Sequence, residues 1–202
     1  MWVGKSARLA AAVAFVLILT GACSSKSFLV VQYQLPQSAD ALAGQSVSLA
    51  ITDTRDNRTV LTQNARKSYR EFDGTYSLVV LKADGSGDLV GIYGLDALLA
   101  EIFKQRLNNH GLKVSNATEQ NEYKLEVKLK NFKLDLAGRK WITNMSYQAI
   151  LSQNGRPLAM ETVNGSAERV KIVGIGDAEK LLSELLSDMV NKLDLAKLFQ
   201  KM

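Results

Sequence analysis

The sequence predicts an α+β fold: an antiparallel-rich sheet covered on one face by two main amphipathic helices. Three observations carry this. Apolar and polar residues alternate over 45–53 and again over 123–129, the period of a half-buried strand. Asn154-Gly155 lies between two long alternating runs, which marks a tight hairpin. Leucines recur at helical spacing from Leu95 to Leu107 and from Leu181 to Leu193.

The first residues read as a leader. Lys5 and Arg8 precede the eleven-residue apolar run Leu9–Leu19, which is too short to span a bilayer as a helix. Leu19-Thr20-Gly21-Ala22-Cys23 follows and contains the only cysteine. Small residues before that cysteine read as a bacterial lipobox, although Thr20 stands where leucine is favoured. An ordinary secretory leader would strand a lone thiol in an exported protein, whereas acylation uses it. The expected organisation is a signal peptide over 1–22, an acylated cysteine and short tether over 23–27, and one periplasmic-facing domain over 28–202. Cys23 would carry covalent diacylglycerol and an N-acyl chain, a firm anchor at about 0.8 kcal/mol per buried methylene. Ser24 follows where Asp would favour inner-membrane retention, so the outer membrane is expected, with the protein on its periplasmic leaflet.

Composition narrows the function classes. The chain has 25 basic and 20 acidic residues, and two of the basic ones belong to the leader. The balance left is only mildly basic and does not argue for nucleic acid. Without a cysteine pair, the core must be held by packing.

Taken in order, Phe28–Leu35 reads as a first strand ended by Pro36, and Gln45–Asp53 as a second. The second runs into Asp53-Thr54-Arg55-Asp56-Asn57-Arg58, the densest polar cluster of the chain. Asp53 and Asp56 could pair as acid and base, or ligate a hard metal with Asn57. Turn-forming Asp and Asn, with arginines pairing the acids, account for the same residues. The structural reading is preferred, and no metal is expected.

Residues 64–91 are the least readable. Arg66, Lys67 and Arg70, near Tyr69 and Phe72, form a basic patch able to meet anionic headgroups, or simply a solvated face. Tyr76–Leu81 reads as a buried strand. Asp84-Gly85-Ser86-Gly87-Asp88 reads as a turn, since the full calcium-loop pattern is missing. Leu95–His110 is a helix closed by Gly111, with His110 placed to meet the helix dipole or water. Leu112–Val114 returns to the sheet. Tyr123–Leu129 forms the next strand, and the apolar phase shifts after Asn131 to Phe132, Leu134 and Leu136, which predicts a bulge. In the hairpin Trp141–Arg169 the Asn-Gly turn predicts Leu151 opposite Leu158, Ala149 opposite Met160 and Tyr147 opposite Thr162. Asp177 is expected to cap the last long helix, and Leu198 and Phe199 to form a terminal turn.

The lipobox, the Val47-x-Leu49-x-Ile51-x-Asp53-x-Arg55 strand, the helix closing in Asn109-His110-Gly111-Leu112-x-Val114, the long hairpin and the leucine-rich last helix follow in this order. That succession resembles the YajG family of bacterial lipoproteins over residues 45–199. The resemblance implies an outer-membrane lipoprotein without an assigned activity. The Cys23-Ser24-Ser25 start and sheet–helix layout also resemble auxiliary lipoproteins of lipid-transport ABC systems and, more distantly, the lipoprotein plug of the lipopolysaccharide export pore.

No Gly-x-Ser-x-Gly elbow, Ser-x-x-Lys dyad or His-rich metal motif occurs. The expected function is therefore a non-enzymatic binding or accessory module in the cell envelope, without a cofactor. The alternative is the auxiliary lipoprotein of a lipid-transport or lipopolysaccharide-export assembly. The expected partners are the membrane, through the anchor, and an envelope protein or anionic lipid. The candidate sites are Cys23 for lipidation and the surface set Asp53, Arg55, Asp56, Arg66, Lys67 and Arg70.

Overall fold

The computed structural model describes residues 27–116, 122–172 and 176–200; Cys23 and the expected signal peptide over 1–22 lie outside them. The α+β class is what the chain forms, with its strands divided between two sheets. β1 (Leu29–Gln34), β3 (Thr75–Leu81) and β4 (Gly87–Gly94) make a three-stranded sheet in the order β1-β3-β4. β2 (Ser46–Asp53), β5 (Lys113–Asn116), β6 (Tyr123–Ala137), β7 (Lys140–Gln153) and β8 (Arg156–Val170) make a five-stranded sheet in the order β5-β2-β6-β7-β8. β1 pairs with β3, and β2 with β5 and β6, in parallel; the remaining pairs are antiparallel. The helices are α1 (Gln63–Ser68), α2 (Leu95–Asn108), α3 (Gly176–Lys192) and α4 (Leu195–Phe199).

The core forms because each element has one apolar face. Leu29, Val31 and Tyr33 alternate on β1 and stand beside Tyr76, Leu78 and Val80 on β3. Leu125, Val127 and Leu129 of β6 and Tyr147, Ala149 and Leu151 of β7 face the same cluster. Into it α2 sends Leu98, Leu99, Ile102, Phe103 and Leu107, and α3 sends Leu181, Leu182, Leu185, Leu186, Met189 and Val190. Phe103 meets Tyr147 edge-on, with ring centroids 5.4 Å apart. The Tyr147 hydroxyl donates to the Met189 carbonyl at 2.8 Å, so the polar tip of this buried ring is satisfied.

Two bulges set the long strands. One lies between Leu129 and Asn131, where the change of apolar phase predicted it. The other corrects the expected hairpin register. Gln153 faces Arg156 and Ser152 faces Pro157, as the Asn-Gly turn requires. Leu158 is then an extra residue, so Leu151 faces Ala159, Ala149 faces Glu161 and Tyr147 faces Val163. Pro157 has no amide hydrogen for a ladder, and prolines in sheets are confined to edges and bulges. A one-residue slip reverses the facing of every later side chain. Met160 therefore stands exposed, and the inward positions become Ala159, Val163, Gly165 and Ala167. The small residues let α3 approach: a Cβ on Gly165 would stand 2.3 Å from the Met189 sulfur.

α3 also closes the outer edge of the small sheet. The Val30, Gln32 and Gln34 amides donate to the Glu179 carboxylate (3.0 Å), the Ser183 hydroxyl (2.9 Å) and the Ser187 hydroxyl (3.0 Å). Asn191 continues the series, donating to the Gln34 carbonyl and accepting from the Tyr33 hydroxyl. A helix advances about 6.0 Å in four residues and a strand about 6.6 Å in two, so the two repeats stay in register for three steps. An edge strand otherwise presents its backbone to any passing chain. Here a helix side takes the place of a neighbouring strand.

α2 ends in a Schellman-type closure. Leu112 N–H donates to Leu107 O and Gly111 N–H to Asn108 O, with Gly111 at φ +86. The β1–β2 connection crosses this end, and the Ala39 and Leu42 amides donate to the Asn109 and His110 carbonyls. His110 does not meet solvent as expected. Both ring nitrogens are buried without a partner, and burial, then the nearby Arg106 charge, hold its pKa below the usual value. Gly111→Ala is expected to lower stability by about 1–3 kcal/mol, because its Cβ would stand 3.0 Å from the Ala43 backbone. An unchanged urea midpoint would contradict that account.

A cleft between the β2 end and the start of helix α2

The polar cluster begins where β2 stops. Thr54 donates to the Leu129 carbonyl through both its amide (3.0 Å) and its hydroxyl (2.8 Å), fixing the turn away from the sheet. Arg55 then folds back on Asp53. Its Nε reaches Oδ1 at 2.9 Å and its Nη2 reaches Oδ2 at 2.8 Å, a two-pronged ion pair with both side chains 5% exposed. Nη1 donates to the Phe132 carbonyl (2.9 Å) and Nη2 to the Arg58 carbonyl (3.1 Å). Arg55 thus ties the β2 end to its own loop and to β6 just past the bulge. Its hydrogen bonds, first, and its charge hold the Asp53 carboxyl below the usual carboxylate range.

The loop continues along β6. Leu61 bridges Leu134, and Thr62 caps α1 by accepting from the Ala65 amide while its hydroxyl donates to Asp135. Arg66, Lys67 and Arg70 are exposed on α1 and the turn after it. Tyr69 is buried, tilted against Trp141 at 5.8 Å, and Lys171 lies over the same indole at 5.6 Å. Phe72 meets Tyr76 edge-on at 5.5 Å. Asp73 accepts from the Thr75 amide (2.8 Å) and hydroxyl (2.6 Å), which hold its pKa low. Its own amide donates to the Ser27 carbonyl at 2.9 Å.

Between these segments lies an open cleft of about 730 Å³. Asp53, Arg55, Arg58, Val60, Leu61 and Arg66 form one wall. Phe72, Asp73, Tyr76 and the first residues of α2, Leu95, Asp96 and Ala97, form the other. β3 and β4 end side by side, with Thr75 opposite Gly94, so Asp73 and Asp96 belong to the same end of the small sheet. Gly94, the residue before α2, offers no side-chain cap to the helix. Tyr76 is 1% exposed, its hydroxyl has no hydrogen-bond partner, and burial raises its pKa.

Of the expected surface set, Asp53, Arg55 and Arg66 come together in the cleft, whereas Asp56, Lys67 and Arg70 do not line it. Arg58, Asp73, Tyr76 and Asp96 are the lining residues that the sequence does not mark as a site. An acidic residue directly before Gly74 and another two positions after Gly94 are the available signal. Asp53 is committed to Arg55, so it has no room in this state to act with Asp56 as acid and base. Among the described residues, no group of three or more His, Cys, Asp or Glu side chains could hold a metal ion. Among them too, no helix is long and apolar enough to cross a membrane.

The α+β architecture has counterparts among solved structures. It is similar to the crystal structure of a Xanthomonas campestris protein of the family model DUF330, at 13% identity and a TM-score of 0.50, covering 82% of this chain and 93% of that one. That likeness is one of fold. Bacterial lipoproteins are also among the structural neighbours. A minor lipoprotein from Acinetobacter baumannii matches at 10% identity and a TM-score of 0.38, over 76% of this chain and 93% of that one. The dodecamer of a PelC point variant from Paraburkholderia phytofirmans matches at 11% identity and a TM-score of 0.43, over 78% of this chain and 89% of that one. No family model matches the chain, and no curated protein matches it in sequence.

Proposed function

We propose that this chain is a lipid-anchored lipoprotein of the bacterial outer membrane, facing the periplasm and acting there as a non-enzymatic binding or accessory module. The observation that carries the binding role is the cleft. Its most chemically capable pair, Asp53 and Arg55, is engaged in holding one wall, while exposed Arg58 and Arg66 face a space large enough for a small ligand. The lipobox supports the anchor, and the order of elements behind it supports kinship with YajG-like lipoproteins. The second reading, an auxiliary lipoprotein in lipid transport, is favoured by the mixture of charged and apolar groups in the same cleft.

Two measurements test this. Cys23→Ala is expected to abolish incorporation of labelled palmitate, and undiminished labelling would remove the anchor. Gentle detergent extraction of the native protein, followed by size-exclusion chromatography and mass spectrometry, is expected to give a stoichiometric envelope protein in the same peak. A monomer carrying defined phospholipid or lipopolysaccharide would put the lipid-transport reading first. A bare monomer that also cross-links to nothing in the envelope would sink the accessory role.

A further inference from the structure

The two walls of the cleft carry opposite charges that do not meet. Arg58 and Arg66 stand on the β2–α1 side, and Asp73 and Asp96 on the β3–α2 side. Among the described residues no ion pair joins the two sides: Arg58 lies 3.9 Å from Asp53, itself held by Arg55, and the other ion pairs lie elsewhere. Alongside these charges are two sets of unused donors. One is the buried Tyr76 hydroxyl, without a partner; the other is the start of α2, a fourteen-residue helix whose first amides lack a side-chain cap. Val60, Leu61, Phe72 and Leu95 add apolar surface between the poles. An anion alone would face Asp73 and Asp96, and a cation alone would face Arg58 and Arg66. A ligand carrying both charges satisfies both walls.

Position names the source. The Ser27 carbonyl accepts from the Asp73 amide, so the chain enters the domain at the rim of the cleft. Three residues, Ser24, Ser25 and Lys26, separate Ser27 from Cys23, so four steps of extended chain reach at most ~14 Å. With Cys23 acylated, the cleft is held within headgroup reach of the membrane.

We propose that the cleft binds a zwitterionic phosphoethanolamine group presented by the membrane that holds the anchor. The phosphoryl oxygens meet Arg58, Arg66, the Tyr76 hydroxyl and the first amides of α2, and the ammonium donates to Asp73 and Asp96. This rests on the reading of the cleft as a ligand site. Its membrane source rests in addition on the anchor at Cys23; its failure is distinguishable from that of the protein-partner reading, because partner capture is read by mass spectrometry and headgroup binding by shifts at the cleft.

The test uses the natively acylated chain from Cys23 onward in dodecyl maltoside micelles, which carry no charge, and follows the Leu95, Asp96 and Ala97 amides by heteronuclear NMR. Three probes are titrated: phosphatidylethanolamine mixed into the micelle, free phosphoethanolamine and inorganic phosphate. Saturable shifts are expected with the lipid, weaker ones with the free headgroup, and roughly tenfold weaker binding again with phosphate, the scale of one charge-assisted hydrogen bond. Arg66→Gln and Asp96→Asn, both on exposed positions, are each expected to weaken the lipid response by about tenfold. Tyr76→Phe is expected to weaken it while leaving Tm unchanged or higher, since the hydroxyl has no partner to lose. The proposal is overturned by absence of saturable shifts with the lipid, by phosphate binding as tightly as phosphoethanolamine, or by an Asp96→Asn response equal to wild type. Saturation by the free compound with none by the lipid would overturn the membrane source.

Discussion

Arg55→Ala is expected to lower the unfolding free energy by about 3–5 kcal/mol, the usual cost of removing one partner of a buried ion pair. The substitution leaves the Asp53 carboxylate, 5% exposed, with only the exposed Arg58 at 3.9 Å as a counter-charge. It also removes the donors to the Phe132 and Arg58 carbonyls, so the loop loses its tie to β6. Asp53→Asn keeps the shape and one acceptor oxygen, and is expected to cost less. The pair has a pH signature whose sign follows from linkage. The folded-state pKa of Asp53 is lowered, so its contribution is present above the ordinary carboxylate value and is lost as pH falls through the folded pKa. The gap between wild type and Asp53→Asn should therefore be full at neutral pH and shrink in acid, below about pH 4. Urea unfolding of both proteins from pH 7 downward checks this. A gap that widens in acid would show that Asp53 is not held as an anion by Arg55.

The double change Ser183→Ala and Ser187→Ala should cost about 2–4 kcal/mol, near 1–2 per acceptor lost from a partly buried amide. Both serines are 7% exposed, and their hydroxyls accept from the Gln32 and Gln34 amides. With alanine there, α3 still buries its leucines, but two strand amides face methyl groups. Hydrogen exchange at Gln32 and Gln34 should speed up well before exchange at the β3-facing amides of Val31 and Tyr33. Unaltered exchange at these two amides would mean that water replaces the serines without cost, and that the helix does not stand in for a strand. Exposure of the β1 edge should also raise the tendency to self-associate, since an open edge is a template for strand pairing.

Much of the site was visible as chemistry and invisible as geometry. The run from Asp53 to Arg58 stands out by density alone, and turn chemistry was enough to favour a structural role for it. That Arg55 would be saturated could not be read, because its fourth bond goes to Phe132, 77 residues away. Arg66 looked like one member of a basic patch with Lys67 and Arg70. Only the turn of α1 separates it from them and sets it in the cleft. Tyr76 belonged to an expected buried strand, and nothing in its neighbours announces a hydroxyl without a partner. Residues 64–91 resisted because α1 is only six residues long and β4 is mostly exposed, so neither develops a readable period.

By itself the sequence determined what local pattern can carry. It set the α+β class, the two long helices with their apolar faces, the Gly111 closure of α2, the Asn154-Gly155 turn and the bulge near Asn131. These depend on side-chain period and on the backbone preferences of single residues, which neighbours within a few positions express. Tertiary structure alone decided the division into two sheets, the slip at Leu158 that turned Met160 outward, the seating of Glu179, Ser183, Ser187 and Asn191 on β1, and the meeting of two charged walls. In each of these a backbone or polar group chose a partner far along the chain. Periodicity says which side of an element is buried, but not which distant group will satisfy the hydrogen bonds at its edge.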